Sequence, residues 1–161
     1  PRQMSHDRSV SPASGESWAY ISSGTWSLMG VETKTPKTDE STLRVNFTNE
    51  GGVGGTIRLL KNIMGLWLVQ ECRRAWERAG VTYDYAALMK LAESTPPFQC
   101  IINPDDASFM LPASMPVAIG EYCKKSGQRV PTEPGDVVRC ALESLALRYR
   151  WGLERLEELV G

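Results

Sequence analysis

The stretch Trp18-Ala-Tyr-Ile-Ser-Ser-Gly-Thr-Trp-Ser-Leu-Met-Gly-Val31 decides the fold. Trp18 to Ile21 is a short β-favouring run, Ser22-Ser-Gly-Thr25 is a polar turn, and Trp26 to Val31 is a second apolar run, an order that predicts a tight hairpin. Ahead of it, Ser9 to Ser17, with Pro12 and Gly15, reads as a small-residue loop. Behind it, Lys34 to Ser41 is a polar loop containing Pro36. Leu43 to Thr48 then alternates apolar and polar with period 2, which predicts a half-buried strand ending at the glycine cluster Gly51–Gly55.

Beyond Ile57 the period becomes helical. Leu59 to Ala79 predicts a helix buried in its first half and wet at its distal end, where Arg73, Arg74, Glu77 and Arg78 stand, with Gly80 closing it. Tyr83 to Ser94 is a second amphipathic helix stopped by Thr95-Pro-Pro97, and Gln99 to Asn103 a short extended piece before the turn Pro104-Asp-Asp106. Ser114 caps a third helix, with Pro116 in its first turn and Gly127 at its end. In the last helix Val138, Leu142, Leu145, Tyr149, Leu153, Leu156 and Val160 recur at spacings of 4, 3, 4, 4, 3 and 4, one stripe facing a core. Strands first and helices after predict an α/β domain rather than a bundle or sandwich. The last helix has no strand after it, so the chain is expected to be one domain truncated at both ends.

The 161 residues match one domain, and 42% hydrophobic with 23% charged residues is a globular composition that excludes disorder. Eighteen basic against nineteen acidic residues leave a net charge of -1, no field for holding a nucleic-acid backbone or an anionic membrane. The longest apolar run, Ile63 to Val69, is far below the roughly 18 residues of a membrane span. Cys72, Cys100, Cys123 and Cys140 form no Cys-x-x-Cys pair, and His6 is the only histidine, which argues against structural zinc and for reduced, buried thiols of a cytoplasmic protein.

Four places have the residue types for chemistry. In Ser5-His6-Asp7 a carboxylate beside a histidine suits proton removal from a hydroxyl, though such residues also cap loops; consecutive residues do not assemble a hydrolase triad. Gly24 and the hydroxyls of the Ser22–Thr25 turn suit phosphate oxygens, and hairpin turns use the same residues for geometry alone. The cluster Gly51–Gly55 lacks the Gly-Lys-Ser/Thr of a phosphate loop and the register of Gly-x-Gly-x-x-Gly, so a sharp strand-to-helix turn is the expectation there. Asn62 and Gln70, eight apart on the expected first helix, share an azimuth within apolar surroundings and need hydrogen-bond partners, from a ligand or from neighbouring strands.

Taken in order, Ser5-His-Asp7, Trp18 to Gly30, Asn46-Phe-Thr-Asn-Glu-Gly-Gly52, Leu59 to Gln70, Ile101-Ile-Asn-Pro-Asp-Asp106 and Arg139 to Ala146 resemble the carboxy-terminal domain of the FGGY family of carbohydrate kinases. The resemblance implies a partial actin-like, ribonuclease-H-like ATPase domain on the nucleotide side of a two-domain kinase, here an N-terminal β-hairpin and strand followed by four helices. It implies transfer of the γ-phosphoryl group of ATP, with Mg²⁺, to the 1-hydroxyl of a ketose, L-rhamnulose, with fuculose or xylulose as other family acceptors. By position Asp7 resembles the catalytic base and His6 its neighbour on the sugar. Gly24 and Thr25 resemble the nucleotide phosphate contact, Asn62 a sugar-binding amide, and Gln70 a nucleotide-side residue; no metal ligand is assigned. Arg8-Ser-Val-Ser-Pro12 stands where the family continues with Thr-Ala-Ser and a helix, a departure that raises a non-catalytic module as the rival reading. Without the amino-terminal kinase domain the chain alone is expected to be inactive.

Overall fold

The structure, a computed structural model, describes residues 18–161. Its hairpin is the expected one: β1 (Tyr20–Ser23) runs antiparallel to β2 (Trp26–Thr33), with Tyr20 opposite Gly30 and Ser23 opposite Ser27. Two further strands, β3 (Thr48–Gly51) and β4 (Ile57–Met64), complete a four-stranded antiparallel sheet in the order β1-β2-β4-β3. Among the described residues five α-helices accompany it: α1 (Glu40–Arg44), α2 (Trp67–Arg78), α3 (Tyr85–Ser94), α4 (Met115–Lys125) and α5 (Pro134–Val160).

Two expectations give way here. The strand expected over Leu43 to Thr48 is instead the end of α1, a corner, and the first residue of β3. Asp39 accepts a hydrogen bond from Thr42 N at 2.9 Å, so a capped helical turn forms where three alternating apolar residues suggested a strand. Leu43 accordingly points to solvent, while Phe47 is buried beyond Asn46, whose φ of 58° turns the chain. The helix expected over Leu59 to Ala79 is a strand and a shorter helix. β4 lies in the sheet interior between β2 and β3, and Leu59, Leu60, Lys61, Ile63 and Met64 are all buried, a run without the period-2 alternation that marks a half-exposed strand. The glycine cluster therefore joins strand to strand rather than strand to helix, with Gly54 and Gly55 at φ 64° and 82° making the bend.

The later elements follow the sequence more closely. Asp84 caps α3 through Ala87 N at 2.7 Å, and Gly80 and Gly127 adopt positive φ just past α2 and α4. Ser114 occupies the cap position of α4 without a side-chain capping bond. The Gln99 to Asn103 segment joins no sheet: Gln128 pairs with Ile101 through Oε1 and Nε2, both at 2.8 Å, and Ser144 Oγ accepts from Ile102 N at 2.9 Å. Side chains thus serve its backbone as a neighbouring strand would.

The long α5 organises both cores. Its first half packs with α2, α3 and α4 around Leu68, Leu88, Phe109, Ile119 and Val138, and its second half lies on the sheet over Met29, Leu59 and Ile63 through Leu156. Gly135 and Gly152 permit these contacts, since a Cβ would come within 2.6 Å of Leu91 O at the first and 3.0 Å of Met29 Sδ at the second. Ser27 Oγ and Tyr149 OH, 2.6 Å apart, pin β2 to α5.

Candidate functional site

The Gly24–Thr25 turn rests on the junction where β4 becomes α2. Gly65 N donates to Thr25 O at 3.1 Å, Leu66 N to Gly24 O at 2.8 Å, and Trp67 N to Thr25 O at 3.0 Å. Gly65 is required for this approach, because a Cβ there would lie 2.4 Å from Gly24 O and 2.6 Å from Ser27 Oγ. The backbone amides that open the helix are thereby committed to the turn's carbonyls, which leaves the turn's hydroxyls as its outward-facing polar groups.

Thr25, exposed at the tip, is met by Gln70 from the first turn of α2: Thr25 Oγ1 lies 3.1 Å from both Oε1 and Nε2 of the amide. Gly24, Thr25 and Gln70, three residues selected from sequence, thus form one cluster. Asn62 does not share a helical face with Gln70, because it stands on β4 opposite Leu28. It is exposed and lines a separate cleft of about 380 Å³ with Trp26, Lys61, Asp105, Arg148 and Trp151. His6 and Asp7, with the Arg8–Pro12 segment and the Ser9–Ser17 loop, lie outside the described residues.

The cleft contains groups the sequence reading did not single out. Asp105 bridges two elements: Oδ1 accepts from Met64 N at 3.0 Å, and Oδ2 accepts from Arg148 Nε at 2.8 Å and Nη2 at 2.6 Å. Arg148 stacks over Trp151 with its guanidinium carbon 4.2 Å from the ring centroid. Buried Lys61 donates to Val45 O at 3.0 Å and to Asn46 O at 3.5 Å, and burial, with the nearby Arg148 charge, holds its pKa below the usual lysine range. The turn signal Pro104-Asp-Asp106 was visible in sequence, but the partners of Asp105 are 41 and 43 positions away.

All four cysteines are buried thiols. Burial pushes Cys123 up to about 11 and raises Cys72 and Cys140 as well, so these thiols stay protonated at neutral pH. Among the described residues, the only group of three or more metal-ligating side chains is Cys100, Cys123 and Cys140, with sulfurs within 4.8 Å of one another. Three thiols suit soft cations, not Mg²⁺, which takes carboxylate, phosphate and water oxygens. No described helix is long and apolar enough to cross a membrane.

A small antiparallel sheet is thus backed by a helical layer, with a hydroxyl-bearing hairpin turn at the head of a helix. The shape of the chain matches xylulose kinase from Bifidobacterium adolescentis with a TM-score of 0.52 at 16% identity, over 88% of this chain and 26% of that one. Residues 19–161 match the model of the FGGY family of carbohydrate kinases, C-terminal domain. The chain belongs to the FGGY family. It is 56% identical over 148 residues to rhamnulokinase from Bacteroides thetaiotaomicron, covering 92% of this chain and 30% of that protein. Rhamnulokinases from Enterococcus faecalis and Bacillus subtilis are 45% and 40% identical, each over 93% of this chain and 30% of the relative. The chain therefore spans about 30% of the length of the curated relatives it matches.

Proposed function

We propose that the intact protein is a cytoplasmic, ATP-dependent kinase of L-rhamnulose, and that this chain is part of the domain on its nucleotide side. The observation that carries the reading is the Gly24–Thr25–Gln70 cluster, a hydroxyl on a hairpin turn met by an amide from the helix to which that turn is locked. Relatives named rhamnulokinase, at 40 to 56% identity, support the choice of sugar.

In this reading the 1-hydroxyl of the ketose attacks the γ-phosphorus of ATP. The oxygen–phosphorus bond forms as the bond to the ADP oxygen breaks, and Asp7 takes the hydroxyl proton. His6 contacts the sugar beside it, and Asn62 supplies a sugar-facing amide whose carbonyl and NH₂ suit a hydroxyl. Gly24 and Thr25 hold phosphate oxygens, and Gln70 fixes the Thr25 hydroxyl. Phosphate charge would be neutralised by Mg²⁺ bound through the nucleotide's own oxygens, with no described residue assigned to hold it, and an amino-terminal domain supplies the other wall of the cleft. Positioning and charge neutralisation dominate phosphoryl transfer, so this modest polar set is chemically sufficient.

The test is a panel of L-rhamnulose, L-fuculose and D-xylulose with MgATP and the intact protein. L-Rhamnulose is expected to show the highest kcat/KM, and Asp7→Asn to lower kcat by about a hundredfold or more, as loss of a general base does. Preference for another ketose overturns the substrate, absence of any phosphorylated sugar overturns the kinase, and wild-type kcat in Asp7→Asn removes Asp7 from its role.

A further inference from the structure

The Asn103–Met110 segment takes no part in the proposed chemistry, yet it grips the β4–α2 junction at two points. Asp105 Oδ1 accepts from Met64 N at 3.0 Å on one side of Gly65, and Phe109 O accepts from Trp67 Nε1 at 3.2 Å on the other. Between them lie Gly65 and Leu66, whose amides carry the Gly24–Thr25 turn. Asp105 is itself held by the two bonds from Arg148, and Arg148 is seated on Trp151 of α5.

We propose that Asp105, oriented by Arg148, is a positioning residue for the nucleotide side: it sets the β4–α2 junction and, through it, the height and tilt of the Gly24–Thr25 turn. This rests on the reading of that turn as the phosphate contact. Three features support it. The Met64 amide at the end of β4 is given to a carboxylate from a remote loop, so the junction's position depends on that side chain. The carboxylate is anchored by two charge-assisted bonds to a rigid helix, which is stronger and more directional than a neutral contact. The turn packs against Gly65 with no slack, as the 2.4 Å distance from its would-be Cβ to Gly24 O shows, so a shift of the junction is transmitted rather than absorbed.

The experiment uses the intact protein with Asp105→Asn, Arg148→Met, the double variant, and Arg148→Lys. In Asp105→Asn the amide keeps the shape but sets a donor against either the guanidinium or the Met64 N–H. Expected is an increase in KM for MgATP of about tenfold, the equivalent of losing one charge-assisted bond, with a smaller change in KM for L-rhamnulose, since Asp105 and Arg148 also line the Asn62 cleft. The double variant is expected to be no worse than the poorer single, because both remove one link. Arg148→Lys, which keeps the charge but not the fork, is expected to fall between Arg148→Met and wild type. Amide hydrogen exchange gives a readout independent of turnover: exchange at 23–25 and 64–67 is expected to quicken in Asp105→Asn while the middle of α5 stays protected.

An unchanged KM for MgATP, an equal shift in the sugar KM, or additive effects in the double variant overturns the proposal. If Asp105→Asn fails to fold, a wild-type KM for MgATP in Arg148→Lys and Arg148→Met does the same. A wild-type protein that phosphorylates no sugar sinks the kinase reading instead, and exchange then decides the brace: quickened exchange at the junction supports it, unchanged exchange overturns it.

Discussion

Thr25 Oγ1 lies 3.1 Å from both polar atoms of the Gln70 amide, so the tip of a hairpin and the first turn of a helix 45 residues later share one contact. A threonine hydroxyl free to rotate presents its lone pairs to any direction. One held between a carbonyl and an NH₂ has a fixed orientation, which is what a phosphate contact needs to be in place before the ligand arrives.

Gln70→Leu in the intact protein is therefore expected to weaken MgATP binding less than Thr25→Val, and the two together no more than Thr25→Val alone. The losses are about threefold and tenfold, within the range of a single hydrogen bond. Calorimetric titration with a non-hydrolysable ATP analogue checks this; fully additive losses show that Gln70 acts elsewhere.

Gly65→Ala is expected to be the most damaging single-methyl addition near the turn. The new carbon would sit 2.4 Å from Gly24 O and 2.6 Å from Ser27 Oγ, and the first of these neighbours is backbone. Either the turn lifts or the sheet end opens, at a cost of about 1–3 kcal/mol. A thermal melt and MgATP titration of the variant measure both consequences; wild-type values for both contradict the packing described.

Lys61→Met removes a charge and two hydrogen bonds together, and two readouts tell their effects apart. The lysine is buried and its charged form is disfavoured there, but it is the donor to Val45 O and Asn46 O at the corner before β3. Methionine restores the bulk and leaves those carbonyls without it, so the corner is expected to loosen by about 1–3 kcal/mol. Hydrogen exchange across 45–51 reads the change. Because the folded-state pKa is depressed, wild-type stability is expected to rise as pH climbs from that value towards the unfolded 10.5, and the Met variant to lack this rise.

Asp39 at the head of α1 gives a pH signature of the same sign in the acid range, from a charge that the fold favours rather than one that it disfavours. Hydrogen bonds from Ser41 and from the Thr42 hydroxyl and N–H hold its carboxyl at about 2, against 3.8 in the absence of these contacts. The carboxylate therefore stabilises the cap fully above 3.8, and the contribution is lost as pH falls through about 2. Asp39→Asn is expected to increase exchange at 42–45 at pH 7 and to match wild type near the folded pKa. A difference that persists undiminished at the acid end contradicts the ionised cap.

What the sequence disclosed, and where it misled, has a physical pattern. Local signals were legible: the Ser22–Thr25 hairpin turn, the Pro-stopped end of α3, the stripe of α5, and the glycines after α2 and α4. The strand β4 was misread because a strand enclosed by sheet neighbours and a core has no wet face to interrupt its apolar run, and its continuation into α2 is apolar as well. Only Gly65 marks the boundary, and its reason for being glycine is a carbonyl 41 positions upstream. The α1 corner was misread for the converse reason, since three alternating apolar residues are too few to outweigh a capping aspartate. Of the proposed site, Gly24, Thr25 and Gln70 were singled out by residue type and lie together. Asp105 and Arg148 were not, because neither is unusual until the fold sets them together.

Steady-state kinetics of the intact protein and its Thr25→Val variant, varying MgATP and L-rhamnulose separately, test the central claim most directly. The account predicts phosphorylation of the sugar by the wild type, and in the variant a KM for MgATP raised about tenfold with the sugar KM within about twofold of normal. A variant whose defect falls on the sugar, or a wild type that transfers no phosphoryl group, contradicts it.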